Sequence, residues 1–341
     1  MRRIINFYNK PYFLSQSAVG GREEGIGPLG KSFDHVDKSD RFGMDSWEKA
    51  EGEMGRIALN CAIKKSGIDK ESLEVILAGD LENQCVASAT GLLSFGIPYL
   101  GLYSACSTCT EGLLLLSTLL SFTDMKYGAT VTTSHNSAAE RQFRSPIEYG
   151  AQRTPTSQWT ASAAGAFILT TENAGSGVYV DNAMIGKMVD GLTGDGSNMG
   201  AAMARAAFDS IYTYLSLSNL TPKDLDLIVT GDLGAVGSDI LREMLSSEAP
   251  GAENIHEDCA TILYSMEKSG VNSGASGCGC SASVLAAHFL PMLKRGELKN
   301  ILFLSTGALM NPSSLLQGGS IIGIAPVLNI KSEVLKNADA L

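Results

Sequence analysis

Cys106 is the residue whose sequence surroundings best suit chemistry. It lies in the segment 104–108, with the sequence SACST, between a buried strand predicted at 99–102 and a long apolar helix predicted to end near residue 122. A helix N-terminus lowers the pKa of a thiol, and this position exposes the sulfur to a central pocket. The pattern predicts a nucleophile or a pocket-lining thiol. The structural alternative is a small apolar residue tolerated in a tight turn.

The other cysteines do not complete a redox or metal site. The chain has seven cysteines, an odd number without paired spacings, which favours a reducing compartment over a disulfide framework. Cys106 and Cys109 form a CSTC sequence that resembles a redox CxxC pattern, and Cys278 and Cys280 form a CxC. Because no second CxxC and no cluster of histidines is present, we expect no redox chemistry, no bound metal and no cofactor.

Two segments of similar sequence indicate that the chain is internally duplicated. Residues 73–81 read LEVILAGDL and residues 225–233 read LDLIVTGDL. The same order of elements is predicted after each copy: a helix, a tight turn, an apolar helix and a strand. In the first half these end in a strand at 129–133, and in the second half they are a helix near 240–245, the turn 278–281, a helix to about residue 293 and a strand at 301–305.

The duplication predicts the architecture. Each half closes with a further apolar strand, at 164–169 and at 321–328, and strands that alternate with helices favour mostly parallel sheets covered on both faces. We therefore expect an α/β fold of five layers, αβαβα, in which two sheets enclose the central helices that follow Cys106 and Cys280. The predicted halves are residues 1–175, with a flexible glycine-rich lead-in and a helix at 46–65 capped by Ser46, and residues 176–341.

The composition excludes several classes of function. A formal charge of −10 with four histidines argues against a nucleic-acid partner, because phosphate binding requires a basic surface. The N-terminal sequence MRRIINFYNKPYFL lacks the continuous apolar region of a signal peptide. The apolar runs at 113–122 and 284–293 are about half the length of a membrane span and are expected to be buried core helices. These features predict a cytoplasmic protein.

A duplicated chain with a cysteine at a strand-to-helix turn resembles the thiolase superfamily, and especially its ketoacyl-synthase III branch. In that branch the resemblance implies a histidine after the first strand of the second half, where this chain has TGDL at 230–233, and an asparagine at 277–280, where it has GCGC. Without these partners, stabilisation of the carbonyl anion is lost, so we expect no condensing activity. The remaining candidates are Asn272, His256 and His288.

The chain also resembles, over nearly its whole length, the stage V sporulation protein AD (SpoVAD) family. The motifs that carry this resemblance are EGIGPLG at 24–30, SWE at 46–48, LAGDL at 77–81, SACST at 104–108, SHNSAAERQFRSPIEYG at 134–150 and GCGCSA at 277–282. The resemblance implies a protein that binds dipicolinic acid, alone or as the calcium chelate, and helps to move it into the developing spore. It also implies other SpoVA membrane proteins as partners, and a peripheral position at the inner membrane of the forespore.

A planar dicarboxylate requires a flat, mostly apolar slot with charged donors, and arginine is best shaped to grip a carboxylate. Arg141 and Arg144 follow His135 in a polar loop, so a loop folded over the pocket would make them the donors. The alternative is an ion-pair network of Glu140, Arg141, Arg144 and Glu148. The predicted ligand-binding residues are Cys106, His135, Asn136, Arg141, Arg144, Asp80, Asn83 and Cys280.

Asp80 and Asp232 recur at the same place in the two halves. For Asp232 we expect a structural role, accepting backbone hydrogen bonds in the loop after a strand. Asp80, with Asn83 nearby, is expected to face the pocket or to help hold calcium, although two oxygen ligands fall short of a calcium site.

Three functions remain open from the sequence: a non-catalytic dipicolinate-binding component, an acyltransferase that uses Cys106 with an unconventional base such as His135, and a structural subunit with a vestigial pocket. The resemblance to thiolases also implies a homodimer formed through an edge strand.

Overall fold

The computed structural model describes residues 3–143, 153–172, 177–265 and 271–333. Its strands are β1 (Ile4–Asn6), β2 (Tyr12–Gly20), β3 (His35–Val36), β4 (Val75–Gly79), β5 (Tyr99–Leu102), β6 (Tyr127–Ser134), β7 (Trp159–Thr160), β8 (Ala163–Thr170), β9 (Val178–Met184), β10 (Val189–Asp190), β11 (Leu227–Thr230), β12 (His256–Asp258), β13 (Ala275–Ser276), β14 (Asn300–Leu304), β15 (Gly307–Leu309), β16 (Ile322–Ile324) and β17 (Val327–Ser332). Its α-helices are α1 (Arg22–Ile26), α2 (Trp47–Ser66), α3 (Val86–Leu92), α4 (Thr108–Phe122), α5 (Asn136–Phe143), α6 (Met199–Ser218), α7 (Gly234–Glu248), α8 (Cys259–Leu263), α9 (Cys278–Val284), α10 (Leu290–Lys294) and α11 (Pro312–Leu316).

The main sheet consists of two similar five-stranded parts. The strand order is β5-β4-β6-β8-β2 in the first part and β12-β11-β14-β17-β9 in the second. A single residue pair, Tyr12 with Tyr179, joins the two parts. The repeated sequences form β4 and β11, which occupy the same place in each part, so the predicted duplication is confirmed. The short β1 pairs with β9 and therefore belongs to the second part.

Three apolar clusters separate five layers. Along β4, Leu77 faces a central cluster that includes α4 and α9, whereas Ile76 faces an outer cluster that includes α2. Along β14, Phe303 faces the same central cluster, whereas Leu302 faces a third cluster that includes α6 and α7. Side chains that alternate between two apolar faces are expected of strands with helices on both sides. The predicted αβαβα layering is confirmed.

The prediction of mostly parallel sheets is wrong. β4 runs parallel to β5 and β6, and β11 runs parallel to β12 and β14, but β8, β2, β17 and β9 pair antiparallel with their neighbours. A parallel pair requires a connection that crosses back over the sheet, and the connections from β6 to β8 and from β14 to β17 do not make that return. The predicted division between residues 175 and 176 lies outside the described residues and stays a prediction.

Two predicted strands differ from those in the structure. The strand at 99–102 has the predicted bounds but is not buried: Tyr99 to Gly101 are exposed because β5 is the edge of the sheet and pairs with β4 alone within the described chain. The predicted strand at 321–328 is two strands, β16 and β17, in different sheets. Pro326 lies between them, and proline has no backbone N–H to donate to a ladder.

The helices that frame the site begin and end where local sequence signals place them. α2 begins after Ser46, whose Oγ accepts a hydrogen bond from the Lys49 N–H at 3.3 Å, as predicted. α4 ends at Phe122, also as predicted. Gly165 of β8 lets α9 approach the sheet, because a Cβ atom there would lie 2.6 Å from the backbone of Ala282. A short π-helical turn, Leu285–Phe289, connects α9 to α10.

The glycine-rich lead-in is folded rather than flexible, contrary to the prediction. Glu24 of α1 is fully buried, and its Oε1 accepts hydrogen bonds from the Ser162 N–H at 3.0 Å and from the hydroxyl of Tyr264. Burial raises the pKa of Glu24 to about 7. Glu24 Oε2 has no partner among the described residues. The lead-in is therefore tied by one carboxyl group to both halves of the chain.

Among the described residues, one segment is long and apolar enough to cross a membrane by length and composition alone. It is Ala105–Phe122, which contains α4, and 67% of it is buried inside the structure. This burial is that of a core helix, as the sequence predicted for the apolar run at 113–122.

Candidate functional site

A cavity of about 300 Å³ lies at the turn before α4. Its lining is mostly apolar and comes from both halves of the chain: Leu81, Tyr103, Ala105, Cys106, Glu140, Thr160, Met199, Ser276, Ala308, Leu309, Met310, Asn311 and Ser314. Small-molecule sites have such a volume and such a lining, with a few polar groups that orient the ligand. The predicted pocket position of Cys106 is therefore what the structure shows.

The turn that carries Cys106 holds its backbone in an unusual conformation. Ala105 has a φ of +49°, in the left-handed region that side chains other than glycine avoid. Ser107 Oγ donates to the Ser104 carbonyl at 2.7 Å, and Thr108 Oγ1 donates to the Ala105 carbonyl at 2.7 Å. Such strain persists only where the surroundings enforce it, and it clusters at ligand and active sites.

The thiol of Cys106 is not activated, contrary to the prediction from its helix N-terminus. Burial raises its pKa well above the usual value, and the charge of the nearby Asp232 raises it further. Removing water from a thiolate and placing it beside a carboxylate both disfavour the charged form. These two effects outweigh the helix dipole, so Cys106 is a neutral thiol at physiological pH.

The sequence predicted only a structural role for Asp232, whereas the structure places its carboxylate beside Cys106. It follows β11 and is fully buried, and its carboxylate accepts hydrogen bonds from the Gly277 N–H at 2.9 Å and the Thr306 hydroxyl at 3.0 Å. One of these is the predicted backbone bond, but the contact with Cys106 was not foreseen. Burial raises the pKa of Asp232 to about 6, against the effect of its hydrogen bonds. The clue in the sequence was the TGDL segment at 230–233, where condensing enzymes place their histidine.

None of the alternative histidine and asparagine candidates reaches the cavity. His256 Nε2 lies 2.8 Å from Thr230 Oγ1, and burial lowers the pKa of this histidine to about 3. The His288 ring packs edge-on against Phe289 in the π-helical turn. Asn272 Nδ2 donates to the Thr154 carbonyl at 2.7 Å. Within the described chain, no histidine lines the cavity around Cys106.

His135 and Asn136 lie behind the cavity wall. His135 is fully buried; its Nε2 is 2.9 Å from the Asp40 carbonyl, and its ring centroid is 5.3 Å from that of Trp47. Burial lowers its pKa, so the ring is neutral. Asn136 Nδ2 donates to Glu140 Oε1 and to the Thr160 carbonyl, each at 3.1 Å. Asn136 thus positions two residues that line the cavity, whereas His135 does not touch it.

Arg141, one of the two predicted arginine donors, does not line the cavity. It is exposed and forms an ion pair with Glu48, a residue outside the predicted ion-pair network. Arg144 and Glu148 lie outside the described residues. The cavity is instead approached by Arg153, whose Nη2 is 2.7 Å from Glu140 Oε2.

Arg153 was missed by the sequence analysis. Its guanidinium also donates to the Gln158 carbonyl at 3.1 Å and lies 4.5 Å from the centroid of the Trp159 ring. These three contacts hold the guanidinium beside Glu140, which lines the cavity. No motif or periodicity in the sequence marks Arg153, because its position depends on the tertiary contact between α5 and β7.

The remaining predicted residues serve the fold. Asp80 is fully buried and accepts hydrogen bonds from the Ser88 N–H and hydroxyl at 2.8 and 2.6 Å. Asn83 Oδ1 lies 3.4 Å from the hydroxyl of Tyr103, one residue removed from the cavity. Cys280 is buried in the central cluster, with Sγ 3.7 Å from the Gly231 carbonyl. Of the eight predicted residues, Cys106 is the one that lines the cavity in the described structure. Contact of any of them with a ligand stays a prediction.

No three histidine, cysteine, aspartate or glutamate side chains come together as a metal site within the residues described. The structure therefore gives no support for a calcium site at Asp80 and Asn83 built from the protein alone.

Comparison with known proteins shows which family the sequence of this chain matches. Residues 1–331 match the sequence profile of the stage V sporulation protein AD (SpoVAD) family. Stage V sporulation protein AD of Bacillus subtilis (strain 168) is 37% identical over 320 residues, which are 93% of this chain and 94% of that protein.

Solved structures that are similar to this chain include condensing enzymes. OleA of Xanthomonas campestris with bound cerulenin has a TM-score of 0.60 and 11% identity, covering 95% of this chain and 98% of that one. A tetronic acid condensing enzyme has a TM-score of 0.56 and 14% identity, covering 94% and 100%. At these identities the likeness shows the fold alone, and that fold is thiolase-like. With the whole-length sequence match, the chain belongs to the stage V sporulation protein AD family.

Proposed function

We propose that this sporulation protein binds dipicolinic acid, pyridine-2,6-dicarboxylate, in the Cys106 cavity, as a non-catalytic component of the SpoVA machinery that moves it into the developing spore. The observation that carries the proposal is the buried carboxylate of Asp232 beside Cys106. In the segment where the resemblance to thiolases implies a histidine, this carboxylate instead keeps the thiol protonated. A cavity that retains its shape but not its activated nucleophile is suited to binding rather than acyl transfer.

The lining of the cavity matches a flat ring with polar edges. Leu81, Met199 and Met310 supply apolar surface, while Thr160 and Ser276 place hydroxyl groups near Cys106. A pyridine ring with two carboxylates has two apolar faces and a polar rim. Hydroxyl groups and a neutral thiol donate hydrogen bonds to carboxylate oxygens without carrying a charge of their own.

The charges at the cavity affect free dipicolinate and its calcium chelate differently. Glu140, the one charged side chain among the described lining residues, carries a negative charge that Arg153 balances. Free dipicolinate is a dianion, so it must compete with Glu140 for the guanidinium of Arg153. The calcium chelate is neutral and meets no such competition. Binding of either form is compatible with the proposal, and titration with and without calcium distinguishes the two forms.

Calorimetric titration of the purified chain with dipicolinic acid, with and without calcium, tests the proposal. Picolinic acid lacks one carboxylate and isophthalic acid lacks the ring nitrogen, so both should bind at least about tenfold more weakly, since each leaves polar groups unpaired. Cys106→Ala should weaken binding. Cys61→Ala, on the outer helix α2, is the matched control and should leave binding unchanged. No saturable binding of either form would refute the proposal.

We further propose that two copies of the chain pair through β5. This edge strand leaves backbone groups unpaired, and it carries the exposed Tyr99 and Leu100, with Leu93 and Tyr103 exposed nearby. Tyr103 also lines the cavity, so a partner copy would lie close to its mouth. Light scattering should give twice the mass of one chain, and Leu100→Lys should give monomers. Docking on the other SpoVA proteins at the inner membrane is proposed on the basis of family membership.

The second candidate function is an acyltransferase that uses Cys106 with an unconventional base. The thiolase-like fold and the strained turn at Ala105 favour it. The raised pKa of Cys106 and the distance of His135 from the cavity argue against it. Transfer of an acyl group from a thioester to Cys106, detected by mass spectrometry and abolished by Cys106→Ala, would establish this function.

A further inference from the structure

A second cavity, of about 320 Å³, lies on the outer face of the second sheet. Its lining includes Asp181, Asn182, Asn329 and Lys331, together with residues of β1 and of the end of α6. Asn329 and Lys331 lie beside the beginning of β14, whereas the Cys106 cavity lies beyond the end of β11, which runs parallel to β14. The two cavities are therefore at opposite ends of the sheet.

A β-bulge builds one wall of this cavity. In the pairing of β17 with β9, Asn329 faces Asn182 and Ile330 faces Val180, so Asp181 is an extra residue without a partner in the ladder. A bulge re-aims a side chain, and bulges are common beside functional sites. The carboxylate of Asp181 is 2.5 Å from Lys10 Nζ and 2.8 Å from Lys331 Nζ. Two ammonium groups thus share one carboxylate, and Lys331 is the lysine that lines the cavity.

A buried acceptor in the same wall has no partner. Asn329 is fully buried; its Nδ2 donates to Asn300 Oδ1 at 2.6 Å and to the Ile301 carbonyl at 3.1 Å. Its Oδ1 has no hydrogen-bond partner in the described structure. The neighbouring Asn182 is satisfied, because its Oδ1 accepts from the Tyr214 hydroxyl at 2.8 Å. A buried, unpaired carbonyl oxygen beside a cavity calls for a donor from outside the chain.

We propose that this cavity binds a small carboxylate that also carries a hydrogen-bond donor, of the α-hydroxy or α-amino acid type. The carboxylate contacts the ammonium of Lys331, whose three protons are more than the bond to Asp181 uses. The hydroxyl or ammonium group of the ligand donates to Asn329 Oδ1. The site is separate from the Cys106 cavity and does not depend on the function proposed for it.

Three carboxylates with the same number of carbon atoms test this inference on the purified full-length chain. Lactate carries a hydroxyl donor, alanine carries an ammonium donor, and propionate carries neither. Ligand-observed saturation-transfer NMR, titrated to tens of millimolar, should show saturable binding of lactate, alanine or both. Propionate should bind at least about tenfold more weakly, because it leaves Asn329 Oδ1 unpaired. Equal binding of propionate overturns the assigned role of Asn329.

Substitutions at two lysines test whether these carboxylates bind in the second cavity. Lys331→Gln should weaken binding about tenfold, since it removes a charged hydrogen bond, and the side chain is exposed enough for the variant to fold. Lys299→Gln, an exposed lysine outside the cavity, is the matched control. Binding of undiminished affinity in Lys331→Gln, or no saturable binding of any of the three, overturns the inference. Titration of the same variants with dipicolinic acid reports on the Cys106 cavity separately, so the two proposals fail independently.

Discussion

Replacing Asp232 by asparagine should make Cys106 more reactive. The carboxylate accepts hydrogen bonds from Gly277 and Thr306, and its charge raises the pKa of the Cys106 thiol beside it. Asparagine has nearly the same shape: its oxygen can accept from the Gly277 N–H while its amide group faces the thiol. The variant thus replaces an acceptor that disfavours the thiolate by a donor that stabilises it.

The size of the effect follows from the strength of a charged hydrogen bond. Such a bond contributes about 1.5–3 kcal/mol, and each 1.36 kcal/mol corresponds to a change of 1 in pKa. The pKa of Cys106 should therefore fall, and because Asp232 is fully buried, solvent screening reduces this effect little. With a pKa of about 6, Asp232 is ionised at pH 8, so the comparison is made there. The thiolate fraction, and with it the rate of alkylation, should rise about ten- to hundredfold.

The assay is alkylation of the folded protein with iodoacetamide, followed by mass spectrometry of the peptide that contains Cys106. Asp239→Asn, an exposed carboxylate on α7, is the matched control and should react like the unmodified chain. Thermal unfolding before labelling shows that the variant is folded. A folded Asp232→Asn variant that reacts no faster than the control would refute the account of Cys106 as a thiol kept neutral by its carboxylate partner.

Three further predictions follow from contacts described above. Because burial raises the folded-state pKa of Glu24 from 4.5 to about 7, its contribution is present below about pH 4.5 and is lost as the pH rises to 7. Between pH 5 and pH 8, calorimetry should show Glu24→Gln gaining about 3 kcal/mol relative to the unmodified chain, and a constant difference would contradict this. Gly165→Ala should lower the free energy of unfolding by about 1–3 kcal/mol in urea titrations, because it forces α9 from the sheet, whereas an unchanged midpoint would show that the helix can shift freely. Glu140→Gln should strengthen the binding of free dipicolinate about tenfold and that of its calcium chelate less, because it releases Arg153; weaker binding of the free acid would count against this role.

The sequence was sufficient where the structure depends on neighbours along the chain. The cap at Ser46, the end of α4 at Phe122 and the turn at Cys106 are local features, and each lies where it was predicted. The duplication was visible because both copies of the first strand keep the same exit loop. From these features the layered fold follows, since each amphipathic or fully apolar element has few ways to bury its surface.

The sequence was insufficient for properties that depend on tertiary burial, such as the pKa of a side chain or the exposure of a strand. The helix dipole at Cys106 could be predicted from the turn, but the opposing effects of burial and of Asp232 arise only when the two halves meet. Arg153 forms an ion pair with Glu140, although the two residues are too far apart in the sequence for a helix or strand period to predict their contact. The exposure of β5 depends on its place at the end of the sheet, although its composition is that of a buried strand.

The position of β1 determines when the fold can be completed during synthesis. This strand is made long before its partner, because β9 begins about 170 residues later. At about 5–20 residues per second, the ribosome needs roughly 10 to 30 s to supply that partner. During this interval the N-terminal strand has no ladder to join. The first half therefore leaves the ribosome with its N-terminus still unpaired, and the chain closes its sheet only after synthesis of the second half has begun.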